Sequence, residues 1–325
     1  MRKYLLSTSA LAGAALLSSA AVADVSITGT FEWDYASRDS NIAANDGSVM
    51  GQDSEVHINF TNKTDSGLTI TAQNQFKTSS GAQDDVSMSI AGGFGKITLG
   101  KTDGANGNYE SNALGLVQEE EGGALYSTTA NTATIQTSTG GGGGNNLQVS
   151  YHLPAMGGLT AGVSTGTGTV ASDNEWTAFG FKYNLEAGGA NVTLGYSTKT
   201  IETTAASDND NSSMGVTIAL DALTFQVSNS TKEGVNEDIS TNSAAVSYNL
   251  GNGLVVAAGT VSSEDDLDTG EEYEMTTYEA AYTIASGLSA VLNVSDFDYE
   301  NGTAAHASQV DVNGTNTSLT IKASF

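Results

Sequence analysis

The chain has 325 residues, no cysteine, one proline and 38 glycines, and a formal net charge of −26 from 37 acids against 11 bases. That acidity argues against nucleic acid, whose phosphates need Lys and Arg to neutralise them, and favours cations or solubility in salty surroundings. Without cysteine there is no disulfide scaffold and no thiol nucleophile, and an exported chain of this length without disulfides suits a bacterial envelope.

Residues 1–23 read as a cleaved signal peptide. Arg2 and Lys3 give a positive start, Leu5 to Leu17 an apolar core, and Ala21-Val22-Ala23 a cleavage site before Asp24. The apolar core is too short and too rich in Ala and Ser for a membrane helix, which needs about 20 apolar residues. No later run approaches that length. Removal of the two bases of this leader leaves nine bases against 37 acids, a net charge of −28, in residues 24–325.

From Val25 the apolar residues fall on alternate positions. Ile27, Phe31, Trp33 and Tyr35 share one parity; Thr28, Thr30, Glu32 and Asp34 share the other. Period two over this length predicts a strand with one apolar and one polar face. The same pattern predicts strands at Val56–Phe60, Leu68–Lys77, Val86–Ile90 and Ile97–Leu99. Then comes a misfit, Thr102 to Asn146, with Glu119-Glu120-Glu121, five consecutive glycines (Gly140 to Gly144) and little periodicity. An irregular connection of that length inside a compact fold is usually functional. Beyond it the alternation predicts eleven more strands, at 146–153, 158–165, 174–185, 190–201, 212–220, 223–231, 239–250, 254–262, 274–285, 288–298 and 315–325, making sixteen.

The connections alternate in length. Even-numbered strands end in tight turns such as Glu186-Ala187-Gly188-Gly189, Gly251-Asn252-Gly253 and Ser286-Gly287. Odd-numbered strands end in longer acidic loops such as Glu202–Asn211, Lys232–Asp238, Ser263–Tyr273 and Tyr299–Gly314. Short turns at one end and long loops at the other are the signature of an outer-membrane barrel. Four tight turns are reached through Tyr-x-Leu or Tyr-x-Ile, at Tyr151, Tyr183, Tyr248 and Tyr282. Tyrosine, with an apolar body and a polar tip, suits a girdle at the membrane–water boundary. If the apolar parity faces lipid, the other parity lines the interior. There it places Glu32, Asp34, Arg38, Glu55, His57, Lys77, Lys96, Lys182, Lys199 and Lys322; only Lys101 among strand bases points outward, at a strand end.

The signal peptide, the sixteen alternating segments, Gly-Lys-Ile-Thr-Leu-Gly (95–100) before the long stretch, and the final strand Leu319–Phe325 together resemble a Gram-negative general porin, most closely the short alphaproteobacterial type. The resemblance implies an all-β fold: one transmembrane antiparallel barrel of sixteen strands over residues 24–325, with residues 102–146 folded inward as a constriction loop. It also implies a homotrimer in the outer-membrane lipid and a terminal Phe325 read by the barrel-assembly machinery. The function it implies is a passive channel for small hydrophilic solutes.

On this reading the constriction acids are Asp103, Glu110, Glu119, Glu120 and Glu121, and no Lys or Arg occurs from Thr102 through Phe181. General porins set a cluster of arginines against such acids. This chain has only Arg38 after the leader, so the expected outcome is a preference for cations. His57 is an ordinary lining histidine or a point of pH tuning. Glu119–Glu121, and the acids at Asp208–Asp210 and Asp265–Asp268, could offer oxygen ligands to Ca²⁺, but none follows an EF-hand pattern. Solvated loop charge is the better explanation for them. The three histidines have no metal-ligand spacing and no nucleophile elbow is present, so no enzyme and no required cofactor is expected. Two alternatives stand beside this reading: a channel selective for one nutrient, and a secreted Ca²⁺-binding β-rich adhesin.

Overall fold

The computed structural model describes residues 24–42, 46–77, 82–117, 147–167, 175–202, 209–234, 238–268, 270–300, 302 and 311–325. The expected leader, 1–23, lies outside them. Sixteen strands follow one another around a closed antiparallel barrel, each hydrogen-bonded to the next in sequence and β16 to β1. They are β1 Asp24–Ser40, β2 Gly47–Lys63, β3 Thr69–Lys77, β4 Ala82–Gly92, β5 Gly95–Lys101, β6 Leu147–His152, β7 Leu159–Thr167 and β8 Glu175–Ala187. The second half comprises β9 Ala190–Glu202, β10 Asn209–Leu220, β11 Leu223–Glu233, β12 Asp238–Gly251, β13 Leu254–Asp265, β14 Glu272–Ala285, β15 Leu288–Glu300 and β16 Val312–Ser324.

Closure leaves no strand edge unpaired, which a sheet in lipid requires. At the seam Phe325 N–H donates to the Gly29 carbonyl at 2.9 Å, and Gly29 N–H donates to the Phe325 carbonyl at 3.2 Å. The tight turns carry the expected backbone. Gly188 and Gly189 both have positive φ, 61° and 88°, as a two-residue hairpin between Ala187 and Ala190 demands. The apolar parity faces out: Met214, Val227, Tyr278 and Leu292 are all about half exposed. No helix among the described residues is long and apolar enough to cross a membrane; the strands supply the spanning surface.

Several strands run further toward the long-loop end than the alternation predicts. β2 starts at Gly47 rather than Val56, and β13 ends at Asp265 rather than Ser262. β14 starts at Glu272 rather than Glu274, and β15 ends at Glu300 rather than Asp298. In β13–β15 the cause is an inversion of polarity. In their outer parts the acids Glu264, Glu272, Glu274, Asp296, Asp298 and Glu300 face outward and are exposed. Their neighbours Val261, Tyr273, Met275, Phe297 and Tyr299 face inward and are buried, packed with Ile239, Val312 and Leu114 into one apolar cluster. Period two persists, but with the apolar side turned in, so these acid-rich strand ends resemble loops in the sequence.

Candidate functional site

The long connection after β5 turns into the barrel. Its described part, 102–117, holds a five-residue helix, α1 (Ala105–Tyr109), and a 3-10 turn at Ala113–Leu116. The Asn112 side chain caps that turn, accepting from Leu114 N–H at 3.0 Å. Elements this short leave most backbone groups without internal partners, and inward-facing side chains of the wall supply them. Ala105 N–H donates to Ser164 Oγ (2.8 Å), Ser111 N–H to Ser213 Oγ (3.0 Å) and Ala113 N–H to Ser228 Oγ (2.8 Å). Gln226 Nε2 donates to the Asn112 carbonyl at 3.0 Å, and Lys182 Nζ to the Asn108 carbonyl at 3.2 Å. The Tyr109 hydroxyl and His152 Nδ1 are 3.0 Å apart.

Glycines let the loop approach this closely. A Cβ on Gly180 would lie 2.6 Å from Tyr109 Cβ, one on Gly215 2.7 Å from Ser111 Cβ, and one on Gly259 2.8 Å from Leu114 Cδ2. Gly195 abuts Ser111 in the same way, and Gly195 and Gly215 are register partners on β9 and β10. The sequence reading misses these seat residues. Their signal is present, as glycines on the inward parity of β8, β9, β10 and β13, but glycine is so abundant here that the parity does not stand out.

Between the described part of the loop and β2–β6 lies a polar cavity of about 350 Å³. Thr102, Asp103 and Asn108 line it from the loop; Asn59, Gln73, Ser89, Lys96, Thr98 and His152 line it from the wall. Beyond it, the inward face of β1–β3 and β16 is a set of paired charges. Lys322 Nζ is 3.2 Å from Glu32 Oε2. Glu55 gathers His57 Nε2 at 3.1 Å, Gln75 Nε2 at 2.6 Å and Lys77 Nζ at 3.8 Å. Asp34 and Arg38 follow on the same face of β1, opposite Thr320 and Asn316.

Glu32, Asp34, Arg38, Glu55, His57, Lys77, Lys96 and Lys182 thus stand on the polar parity of their strands. The expected constriction acids divide. Asp103 is exposed toward the open space, and Glu110 lies near enough to Lys182 to act on its charge. Glu119, Glu120 and Glu121 fall outside the described residues. The sequence predicts few bases facing the loop acids; of the two described acids, Asp103 shares the open space with Lys96, and Glu110 neighbours Lys182. The wall supplies those lysines from β5 and β8, and the spacing of charges along the chain does not reveal which of them the loop meets. Among the described residues no group of three or more His, Cys, Asp or Glu is arranged to hold a metal ion.

A family model described as Gram-negative porin matches residues 7–302. Among solved structures, the anion-selective porin from Comamonas acidovorans superposes with a TM-score of 0.66 at 17% identity, over 94% of this chain and 100% of that one. OmpT, an outer membrane protein of Vibrio cholerae, gives 0.67 at 15% identity, over 95% and 99%. A mutant of Rh. blastica porin gives 0.64 at 15% identity, over 93% and 100%. Identities this low speak to the fold alone. No curated protein sequence matches the chain.

Proposed function

Because this chain belongs to the Gram-negative porin family, we propose a mode of selection for what is, by family and barrel, an outer-membrane diffusion channel. The passage is passive and water-filled, and it sorts small hydrophilic solutes by size and charge. The observation that carries this is the seated loop, whose described part lies inside the barrel against β7–β13, with a polar cavity of about 350 Å³ between it and β2–β6. Liposome swelling tests it. Rates that fall smoothly with sugar size, without saturation, are the expected result; saturation by one solute would favour a nutrient-selective channel instead.

Charge selection is a mild preference for cations, set mainly at the external mouth. Among the described loop residues, Lys96 shares the open space with Asp103 and Lys182 neighbours Glu110. The surplus of acid lies at the long-loop ends of β13–β15, and the chain has no Lys or Arg between Lys232 and Lys322. Rim charges act through solvent over a Debye length of about 8 Å at physiological salt and about 3 Å at 1 M. Reversal potentials in a salt gradient should therefore show cation preference in dilute salt that fades at about 1 M. Anion preference in dilute salt would sink the idea, and the anion-selective Comamonas acidovorans porin makes that a serious outcome to test.

The barrel assembles as a homotrimer, a reading supported by the trimer form of Vibrio cholerae OmpT. Phe325, 80% exposed beside the closing seam, is the residue offered to the barrel-assembly machinery. Cross-linking in isolated outer membranes tests the first point, and the yield of folded Phe325→Ala the second.

A further inference from the structure

Lys199 is a buried cation on the inner wall with no carboxylate paired with it among the described residues. It is 6% exposed, and the ion pairs of the wall belong to other residues. Its nearest specific contact is the Trp176 ring, whose centroid lies 4.9 Å from Nζ. A ring face returns only part of the hydration that a buried ammonium loses. Around it, three further polar groups are buried without hydrogen-bond partners: Trp176 Nε1, Ser197 Oγ and Asn211 Oδ1. Trp176 is 2% exposed, Asn211 3% and Ser197 0%.

The barrel's register sets Lys199 between these side chains. Lys199 on β9 is paired with Asn211 on β10 and with Ala178 on β8. Trp176, opposite Ile201, lies two positions to one side of that rung, toward which the Lys199 amine reaches; Ser197, opposite Gly180, lies two positions to the other. An ammonium can only donate hydrogen bonds, an indole N–H can only donate, and a serine hydroxyl can donate. A buried cluster dominated by donors and carrying one positive charge lacks an acceptor with a negative charge.

We propose that a small monovalent anion, a halide or a carboxylate of formate size, binds at Lys199 beside Trp176. The bound ion neutralises a wall cation inside the barrel. It thereby leaves the balance of the lining to the acids, although the site itself does not depend on the direction of charge selection.

The test uses the full-length mature protein in detergent. Crystals soaked in bromide should show an anomalous peak within hydrogen-bonding distance of Lys199 Nζ, and formate should displace it. In solution, the temperature of the heat-induced mobility shift should rise by about 2 °C or more in bromide or formate relative to a bulky anion at equal ionic strength. Lys199→Met should abolish that rise. Absence of the peak would overturn the proposal. Bromide found only elsewhere, an adventitious ion only, would overturn it too, as would an undiminished anion effect in Lys199→Met. The bromide measurement needs no variant, so it decides the matter even if Lys199→Met does not fold.

Discussion

The wall that carries the loop and the wall that faces it share one strand geometry but differ in their inward residues. On β7–β13 many inward positions are glycine, serine or apolar side chains, with Lys182, Lys199, Asn211 and Gln226 among them, and the loop packs directly against this face. On β1–β3 and β16 they are charged residues in cross-strand contact. Alternation alone makes a barrel. The choice of residue at each inward position then determines whether that part of the wall holds protein or water.

This contrast can be broken at Leu114, where the largest effect is expected. Its side chain is 1% exposed, packed among Val261, Met275 and Phe297. Leu114→Ala should cost about 2–5 kcal/mol of packing, read as faster proteolysis of the loop and a lower heat-unfolding temperature. Gln73→Ala, on the wall facing the loop, should change stability by less than about 0.5 kcal/mol. Equal losses at the two positions would erase the distinction.

A smaller effect is expected at Gly180. Valine there meets Tyr109 Cβ and the Ala105 carbonyl, an overpacking cost of about 1–3 kcal/mol. The strand is held on both sides, so the loop yields and moves toward the open space. Single-channel conductance should fall. A conductance at or above that of the wild type would mean that the loop leaves the barrel instead of shifting within it.

The fold was legible in the sequence because lipid imposes a period-two pattern on every spanning strand, from Ile27 and Phe31 in β1 to Leu319 in β16. The same rule misled at the outer ends of β13–β15, which stand where the outward face is polar. There the pattern inverts, and Glu264, Glu272 and Glu300 looked like loop. The site was less legible. Asp103 and Lys96 are close in sequence and share the open space, but the approach of Glu110 to Lys182 depends on how the loop lies across β8. No local spacing encodes that path.

Charge substitutions sharpen the comparison from the facing side. Two unit charges about 5 Å apart in water interact by about 0.8 kcal/mol, so one reversal at the open space should change the cation-to-anion permeability ratio several-fold at most. Lys96→Glu should raise it, and Asp103→Lys should lower it, both measured as reversal potentials in dilute salt. Lys63→Glu, on the exposed end of β2, should do little. If it matched Lys96→Glu, selection would not involve the loop's side of the lumen at all.

The smallest effect is expected at Tyr109→Phe, and it separates two ways of holding the loop. The substitution removes the contact between the hydroxyl and His152 Nδ1 but keeps the ring against Gly162, Gly180 and the buried Trp176 cluster. A neutral hydrogen bond is worth about 0.5–1.5 kcal/mol. The loss should fall at the low end, because His152 also lines the polar space and water can reach it. Conductance should stay at the wild-type level. If Tyr109→Phe instead lowers conductance as much as Gly180→Val, the hydroxyl positions the loop and the glycines merely make room for it.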